Sequence, residues 1–568
     1  MIALAKFVSL ISDFTYASTS VDTGRFPHLW RLQRFMVRAR SSKSSSVAMK
    51  ARKYPANLFT LISEHHWLQV ILRGAAALTW MTFILFCIAS AISFGLCCAD
   101  DGGIALAAKS LAHGYGYSLH FLADGDPPQF DGYPPQFNPN ITTGPTLVLP
   151  CALVLRLLGN HEVIPGLVAI MGWATTFTFL FGRMSRRVTN GSLFAGIAVF
   201  CLSISSVFAY FFENWHACLG EVTAAAFLIL AHWILALETL SPKWLFLGGL
   251  CVGLAIQAKN LALLGGIGVL IALAVRLKGR QRLPEVLAYP TILFAGCILP
   301  TVLFESWKVI DLGIHGYLAN WGAFLAVAKE NGVANGGPFL HLAGQRLGVI
   351  HDAFSIDPLA YLIIVALSLG SMARRFSRDW IILAGSVYAS IFVWSAYWIC
   401  VSVGKPRYFE VAALMGCFAL TVPIFGARSM KDALLFMAVA ILLIAPGFPR
   451  LPYLGKRLDH GLFASTDSRR ARKKIVKTIR NLDEKTPSAN FAGTWWAEFV
   501  DVEFNLQNII IRQLDQVTQK PGPKFVLVNK HFGIPNEHAY IEKKLGAPIS
   551  ATRLAAGPYE LLEVNSPP

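Results

Sequence analysis

The residues best suited to chemistry are charged groups at the ends of long apolar runs. Asp100 and Asp101 follow the first such run, in "CCADDGGIALAAKSLAHG". Glu213, His216 and Glu221 bracket the join of two more, in "FFENWHACLGEV". Lys259 ends another, in "GLAIQAKN"; Glu305 and Lys308 end a further one; Lys405, Arg407, Tyr408 and Glu410 open a late one, in "GKPRYFEV". Carboxylates and histidine can move protons, and lysine and arginine can hold anions. Ionisable groups beside hydrocarbon are costly unless paired or solvated, so they mark functional sites by default. If these runs cross a membrane, the charged groups gather on one side and can share a cavity.

Each residue also has a plainer reading. Asp100 and Asp101 could cap the helix that follows, with negative charge at the positive end of its dipole. His216 could be a structural hydrogen bonder. Lys259 could mark a helix end, and Glu221 could pair inside a bundle. Arg407 could be an interfacial anchor. Trp215, Trp394, Tyr397 and Trp398 fit an aromatic belt at the membrane surface better than a substrate platform.

The elements that must position these groups are membrane helices. The chain has 568 residues, is 54% hydrophobic and only 15% charged, with mean hydropathy +0.51. A soluble protein carries nearer a quarter charged residues. The net charge of +17 does not imply nucleic acid, because the basic residues sit in short loops between apolar runs, as membrane topology requires. The ten cysteines lie in or beside apolar runs without zinc-ligand spacing, and read as small buried hydrophobes.

Eleven stretches are candidate spans: 74–97, 163–182, 191–210, 219–237, 244–258, 261–276, 286–304, 357–373, 380–400, 409–426 and 432–447. The loops "RMSRR", "SPK", "RLKGRQR", "RRFSR" and "ARSMK" all fall on the side of the basic N-terminus, which makes that side cytoplasmic. The apolar stretch 141–158 would break this alternation if it spanned, so it reads as a helix lying at the outer interface. The resulting organisation is a basic cytoplasmic tail over 1–66, a transmembrane module over 67–448 with a long first outer loop at 98–161, and an extracytoplasmic domain over 449–568. That last part alternates helix and strand patterns and reads as small α/β. No P-loop occurs, so nothing indicates an ATP-driven pump.

The order of these motifs resembles the integral-membrane glycosyltransferases of the GT-C class. It is most similar to the branch of protein O-mannosyltransferases and lipid A aminoarabinose transferase. The similarity rests on an acidic pair after the first span followed by "IALAAKSLAHG", then "PNITTGPTLVLPCALVLRLLG", then "LGEVTAAAFLILA", "GLAIQAKN" and "KPRYFEVAALMG". It covers about 74–430. The usual acidic pair is Asp-Glu, and here it is Asp-Asp, which leaves open which carboxylate is the base.

The resemblance implies a fold of about eleven transmembrane helices and an inverting transfer of a sugar from a polyprenyl-phosphate donor to a hydroxyl of a glycan, glycolipid or protein acceptor. It implies an active site facing the periplasm or exterior of a bacterial inner or plasma membrane. Asp100 or Asp101 would take the acceptor proton; Lys259, Arg407, Lys405 and His216 would hold the donor phosphate; Glu213, Glu221 and Tyr408 would line the substrate site. No cofactor is expected: the two carboxylates with His216 could hold a divalent metal, but the branch generally works without one. The remaining alternatives are a ligase using a diphosphate-linked glycan and a lipid transporter. A transporter needs intramembrane charges reachable from both sides, whereas these collect on one.

Overall fold

The computed structural model describes residues 66–96, 99–119, 136–139, 141, 144–188, 198, 220–278, 283–332, 339–354, 377–402, 409–426, 438, 469–495, 499–506, 509–530 and 536–564. Arg73–Pro568 forms one compact unit.

Helices dominate the first three quarters of the described chain. They are α1 His66–Phe94, α2 Ala99–Ala112, α3 Pro145–Leu158, α4 Ile164–Ser185, α5 Glu221–Leu237, α6 Pro242–Ala258, α7 Leu263–Leu277, α8 Leu283–Gly332, α9 Phe339–Phe354, α10 Arg378–Cys400 and α11 Glu410–Gly426. Among the described residues, four helical stretches are long and apolar enough to cross a membrane: Ile164–Ser185, Asn260–Leu277, Glu285–Val327 and Arg378–Cys400. The candidate spans 191–210, 357–373 and 432–447 lie outside the described residues apart from single positions.

Helix α5 is the centre of the bundle. Its sequence "EVTAAAFLILAHWILAL" is apolar all round and almost every side chain is buried, as expected of a helix surrounded by others. It packs against α4, α6, α7, α10 and α11. Midway along it, His232 supplies a polar tie, with Nδ1 3.0 Å from Ser386 Oγ and Nε2 3.0 Å from Ser390 Oγ on α10. Ser390 in turn donates to the Gly265 carbonyl of α7 at 2.6 Å, so one buried network joins three helices. The outer helices instead expose apolar stripes, such as Leu263, Ile267, Leu270 and Ile271 on α7. Such faces are suited to lipid.

Two sequence expectations need correction. Trp394 and Trp398 are fully buried in the bundle core, not in a surface belt, because α10 turns that face toward α11 and α7. The candidate span 286–304 does not end at its expected bound, since the described residues beyond it, to 332 and over 339–354, are helical. Helix α8 continues to Gly332, broken by the left-handed Gly313, and α9 follows.

The C-terminal part opens with a basic helix, α12, over 469–485. Strands β1 Asn490–Gly493, β2 Ile511–Gln513, β3 Lys524–Asn529, β4 Ile549–Ala556 and β5 Tyr559–Val564 form one sheet ordered β2-β1-β3-β5-β4. Strand β1 is parallel to both β2 and β3, while β5 is antiparallel to β3 and β4. The central strand "KFVLVN" is buried along its whole length, as a strand covered on both faces must be. Phe525 and Leu527 face a cluster with Ile475, Ile479 and the α2 residue Leu106. Val526 and Val528 face Ile541 and Leu545 of α14, Glu537–Leu545. Period-two alternation thus assigns one face to α12 and α2, the other to α14.

Candidate functional site

The site grows from the head of α2. Asp101 is the third residue of this helix and its side chain is fully buried. Asp100 lies in the same first turn, and its side chain is outside the described residues. A carboxylate in the first turn faces unsatisfied backbone N–H groups and the positive end of the dipole, so helix capping and a reactive role share one position.

Helix α3 runs beside α2, and the two have the same ends together. His113 just past α2 meets Asn160 just past α3, with Asn160 Nδ2 2.9 Å from His113 Nε2. The start of α2, with Asp101, therefore lies toward the start of α3. That start is pinned to the end of α6. Gly144 N donates to Ala258 O at 3.4 Å, and Thr146 Oγ1 donates to Leu254 O at 2.8 Å. A side chain at Gly144 would meet the Gln257 carbonyl oxygen at 1.8 Å, so only glycine permits this approach. The next residue after Ala258 is Lys259. Two residue types far apart in sequence, the Asp pair and Lys259, are thus carried toward one end of the α2–α3–α6 layer.

Lys259 does not stand alone. Its ammonium lies 2.9 Å from Glu221 Oε1, with the two side chains 10% and 2% exposed. The pair joins the C-terminal end of α6 to the first turn of α5. Breaking such a buried pair leaves an uncompensated charge and is strongly destabilising, so Lys259 and Glu221 hold these helix ends whatever else they do. Glu410, which opens α11, is fully buried. Glu305 accepts from Lys308 Nζ at 3.1 Å and from Trp321 Nε1 at 2.9 Å. Glu213, His216, Lys405, Arg407 and Tyr408 fall outside the described residues.

The ionic network that clamps the C-terminal part against α2 was not anticipated from sequence. Arg472 of α12 donates to Asp501 Oδ2 at 2.8 Å, to Glu162 Oε2 at 3.1 Å and to the Leu96 carbonyl at 3.1 Å. Arg469 also contacts Glu162, and Tyr559 donates its hydroxyl to Asp501. Burial opposes the Arg472 charge, but Asp501 and Glu162 outweigh it and hold the guanidinium above its ordinary pKa. Asp501 belongs to a short helix, α13 Val500–Glu503, whose backbone presses on α2. A Cβ at Gly102 would sit 2.8 Å from the Asp501 nitrogen. The network and α13 therefore touch the chain on both sides of the acidic pair, at Leu96 ahead of it and at Gly102 just after it.

Further along α2, the buried Lys109 donates to the Phe504 and Leu506 carbonyls at 2.8 and 2.7 Å. Burial lowers its pKa to about 7, with Glu503 opposing. Burial raises Glu503 to about 8, with Lys109, Arg512 and the Ile511 N–H opposing. A signal for these residues did exist. Arg472 shares the helical stripe of Ile475, Val476 and Ile479, which places it on the buried face of an otherwise exposed basic helix.

The described architecture is a helical bundle carrying a small mixed sheet. The solved structures it is similar to include those of ArnT, a lipid A aminoarabinose transferase of the GT-C glycosyltransferases. ArnT from Cupriavidus metallidurans bound to undecaprenyl phosphate matches with a TM-score of 0.52 and 12% identity, over 87% of this chain and 97% of that one. The same enzyme in the apo state matches with a TM-score of 0.53 and 12% identity, over 86% and 98%. At this identity the likeness is one of fold. No described protein family and no curated protein matches the sequence.

Proposed function

We propose that this chain is an inverting glycosyltransferase of the membrane, moving a sugar from a polyprenyl-phosphate donor to a hydroxyl acceptor on the extracytoplasmic face. The observation that carries the reading is the likeness of nearly the whole chain to ArnT, a protein whose crystal structure holds undecaprenyl phosphate. The buried carboxylate at the head of α2 supports it.

Displacing a lipid phosphate from an anomeric carbon requires a base for the acceptor hydroxyl and cations for the phosphate. In this reading Asp100 or Asp101 is the base. The acceptor oxygen attacks the anomeric carbon, its proton passes to the carboxylate, and the carbon–oxygen bond to the phosphate breaks, leaving polyprenyl phosphate. Arg407, Lys405 and His216 contact the phosphate; Glu213, Glu221 and Tyr408 line the sugar. Lys259 contributes from its pair with Glu221, where the approaching phosphate shares its ammonium.

The test is transfer of radiolabelled sugar from defined polyprenyl-phosphate donors by the reconstituted full chain. Asp100→Asn and Asp101→Asn remove the carboxylates with little change of shape. One of them is expected to lower turnover by roughly 10²–10⁴ while donor binding stays the same. Wild-type turnover in both variants would reduce the Asp pair to helix caps.

A further inference from the structure

The exposed face of α12 forms a groove that neither the fold comparison nor the proposed reaction accounts for. Its cavity of about 400 Å³ is lined by Lys473, Val476, Lys477, Arg480, Asn481, Glu484 and Asn505. Lys473, Lys477 and Arg480 follow one another at i, i+4 and i+7, so three cations share one helix face within ~10 Å of axis. Like charges at this spacing repel. Among the described residues the one carboxylate of the groove is Glu484, and no ion pair engages the three cations. Arg480 commits one nitrogen, Nη2, to the Asn505 carbonyl at 2.6 Å, which fixes the fork at the groove wall and leaves its other donors. The Asn481 amide adds a neutral donor and acceptor, and Asn505, whose Nδ2 donates to Asp501 O at 3.0 Å and to Glu162 Oε2 at 3.4 Å, adds its amide oxygen as an acceptor.

Neighbouring elements set the height of this groove relative to a bilayer. Arg469, at the start of α12, donates to the Ile92 carbonyl in the last turn of α1 at 2.6 Å. Helix α1 exposes Leu78, Met81, Leu85 and Ile92, an apolar face that ends where α12 begins. Helix α12 then runs along α2. Arg472 reaches Leu96 ahead of α2, and Arg480 takes the Asn505 carbonyl between the two that hold Lys109. Helix α3, packed beside α2, exposes Leu149, Leu153 and Leu157 along its length. A helix of 14 residues is ~21 Å long, too short to span the ~30 Å hydrocarbon core, and such a stripe lays it in the interface. The layer α3–α2–α12 therefore lies along the membrane surface, with the cations near the headgroups for the whole length of the groove.

We propose that this groove binds the headgroup of an anionic glycerophospholipid, with the phosphodiester among Lys473, Lys477 and Arg480 and the headgroup hydroxyls on Asn481 and Asn505. Cations beside a membrane surface gain from anionic lipid individually, and the gain decays within a Debye length. The arginine fork adds a directed phosphate contact.

The test uses the full chain in phosphatidylcholine nanodiscs containing a small fraction of photoactivatable phosphatidylglycerol, or of photoactivatable phosphatidylcholine as control. Labelled peptides are mapped by mass spectrometry. The phosphatidylglycerol probe is expected to label 469–505 and the control to leave it unlabelled. The triple variant K473Q/K477Q/R480Q should lower that labelling by at least about ten-fold, while K473R/K477R retains it. Equal labelling in wild type and triple variant, or by both probes, overturns the site. Loss of labelling in wild type on adding millimolar inorganic phosphate overturns the lipid as its occupant and leaves a site for free phosphate. No transfer activity enters the readout, so failure of the glycosyltransferase reading and failure of this site are separable.

Discussion

Replacing Arg472 with methionine tests whether the buried ionic network holds the C-terminal part on α2. The guanidinium is 3% exposed and bridges two carboxylates, Asp501 at 2.8 Å and Glu162 at 3.1 Å, besides the Leu96 carbonyl. Methionine keeps most of the volume and removes every donor. Losing one partner of a buried pair costs about 3–5 kcal/mol, because the other charge stays buried. Here Glu162 keeps Arg469 and Asp501 keeps the Tyr559 hydroxyl, so the lower end, about 3 kcal/mol, applies. With ~1.4 kcal/mol per decade, undocking becomes roughly a hundred-fold more frequent. Amide hydrogen exchange reads this directly in the peptides covering α2 and α13, whose protection depends on docking. Arg472→Lys should recover only part, since a single ammonium cannot serve both carboxylates in the planar geometry. The triple variant R472M/E162Q/D501N removes the stranded charges and should exchange more slowly than R472M alone. Exchange within two-fold of wild type in R472M, or faster exchange in the triple variant, would refute the reasoning.

Other outcomes follow from the same structure. Glu503 is raised from 4.5 to about 8 by burial, so its contribution to stability is complete below 4.5 and lost as pH rises to 8. Glu503→Gln escapes that loss: its thermal stability relative to wild type should climb between pH 4.5 and 8 and level off above, and a pH-independent difference would contradict the assignment. Lys109, lowered from 10.5 to about 7, has the opposite sign, so Lys109→Met should flatten the wild-type rise in stability between pH 7 and 10.5. Gly144→Val puts a side chain where the Gln257 carbonyl stands; overpacking of this kind costs about 1–3 kcal/mol, and unchanged thermal unfolding would mean that α3 and α6 are not held together there. His232→Ala removes the imidazole from Ser386 and Ser390 of α10, whose hydroxyls keep only the Leu383 and Gly265 carbonyls. A loss of about 1–3 kcal/mol in detergent unfolding is expected, with His232→Asn intermediate.

Much of this protein was legible in its residues because the bilayer constrains the chain so tightly. A stretch such as "EVTAAAFLILAHWILAL" has no other low-energy home than a helix among apolar neighbours, so helices are found at most of the expected positions within the described residues. The Asp pair was identifiable for the same reason: charge beside hydrocarbon must be explained. The strand runs near the C-terminus were equally plain, since "KFVLVN" and "YELLEV" carry the composition of buried strands. What the sequence could not say is who meets whom. Glu162, Arg472, Asp501 and Tyr559 are scattered over some four hundred positions; the helical stripe turns Arg472 inward, but nothing local names its partners. Burial and pairing are properties of the assembled layer. The same holds for Lys259, whose partner Glu221 lies on another helix, and for Trp394 and Trp398, whose apolar surface serves a belt or a core equally well until α10 is rotated into place. Periodicity dictates which face of a helix is apolar. Only the tertiary structure decides whether that face meets lipid, another helix or, at α2 and α12, a folded sheet, because that choice depends on contacts between segments that local sequence does not record.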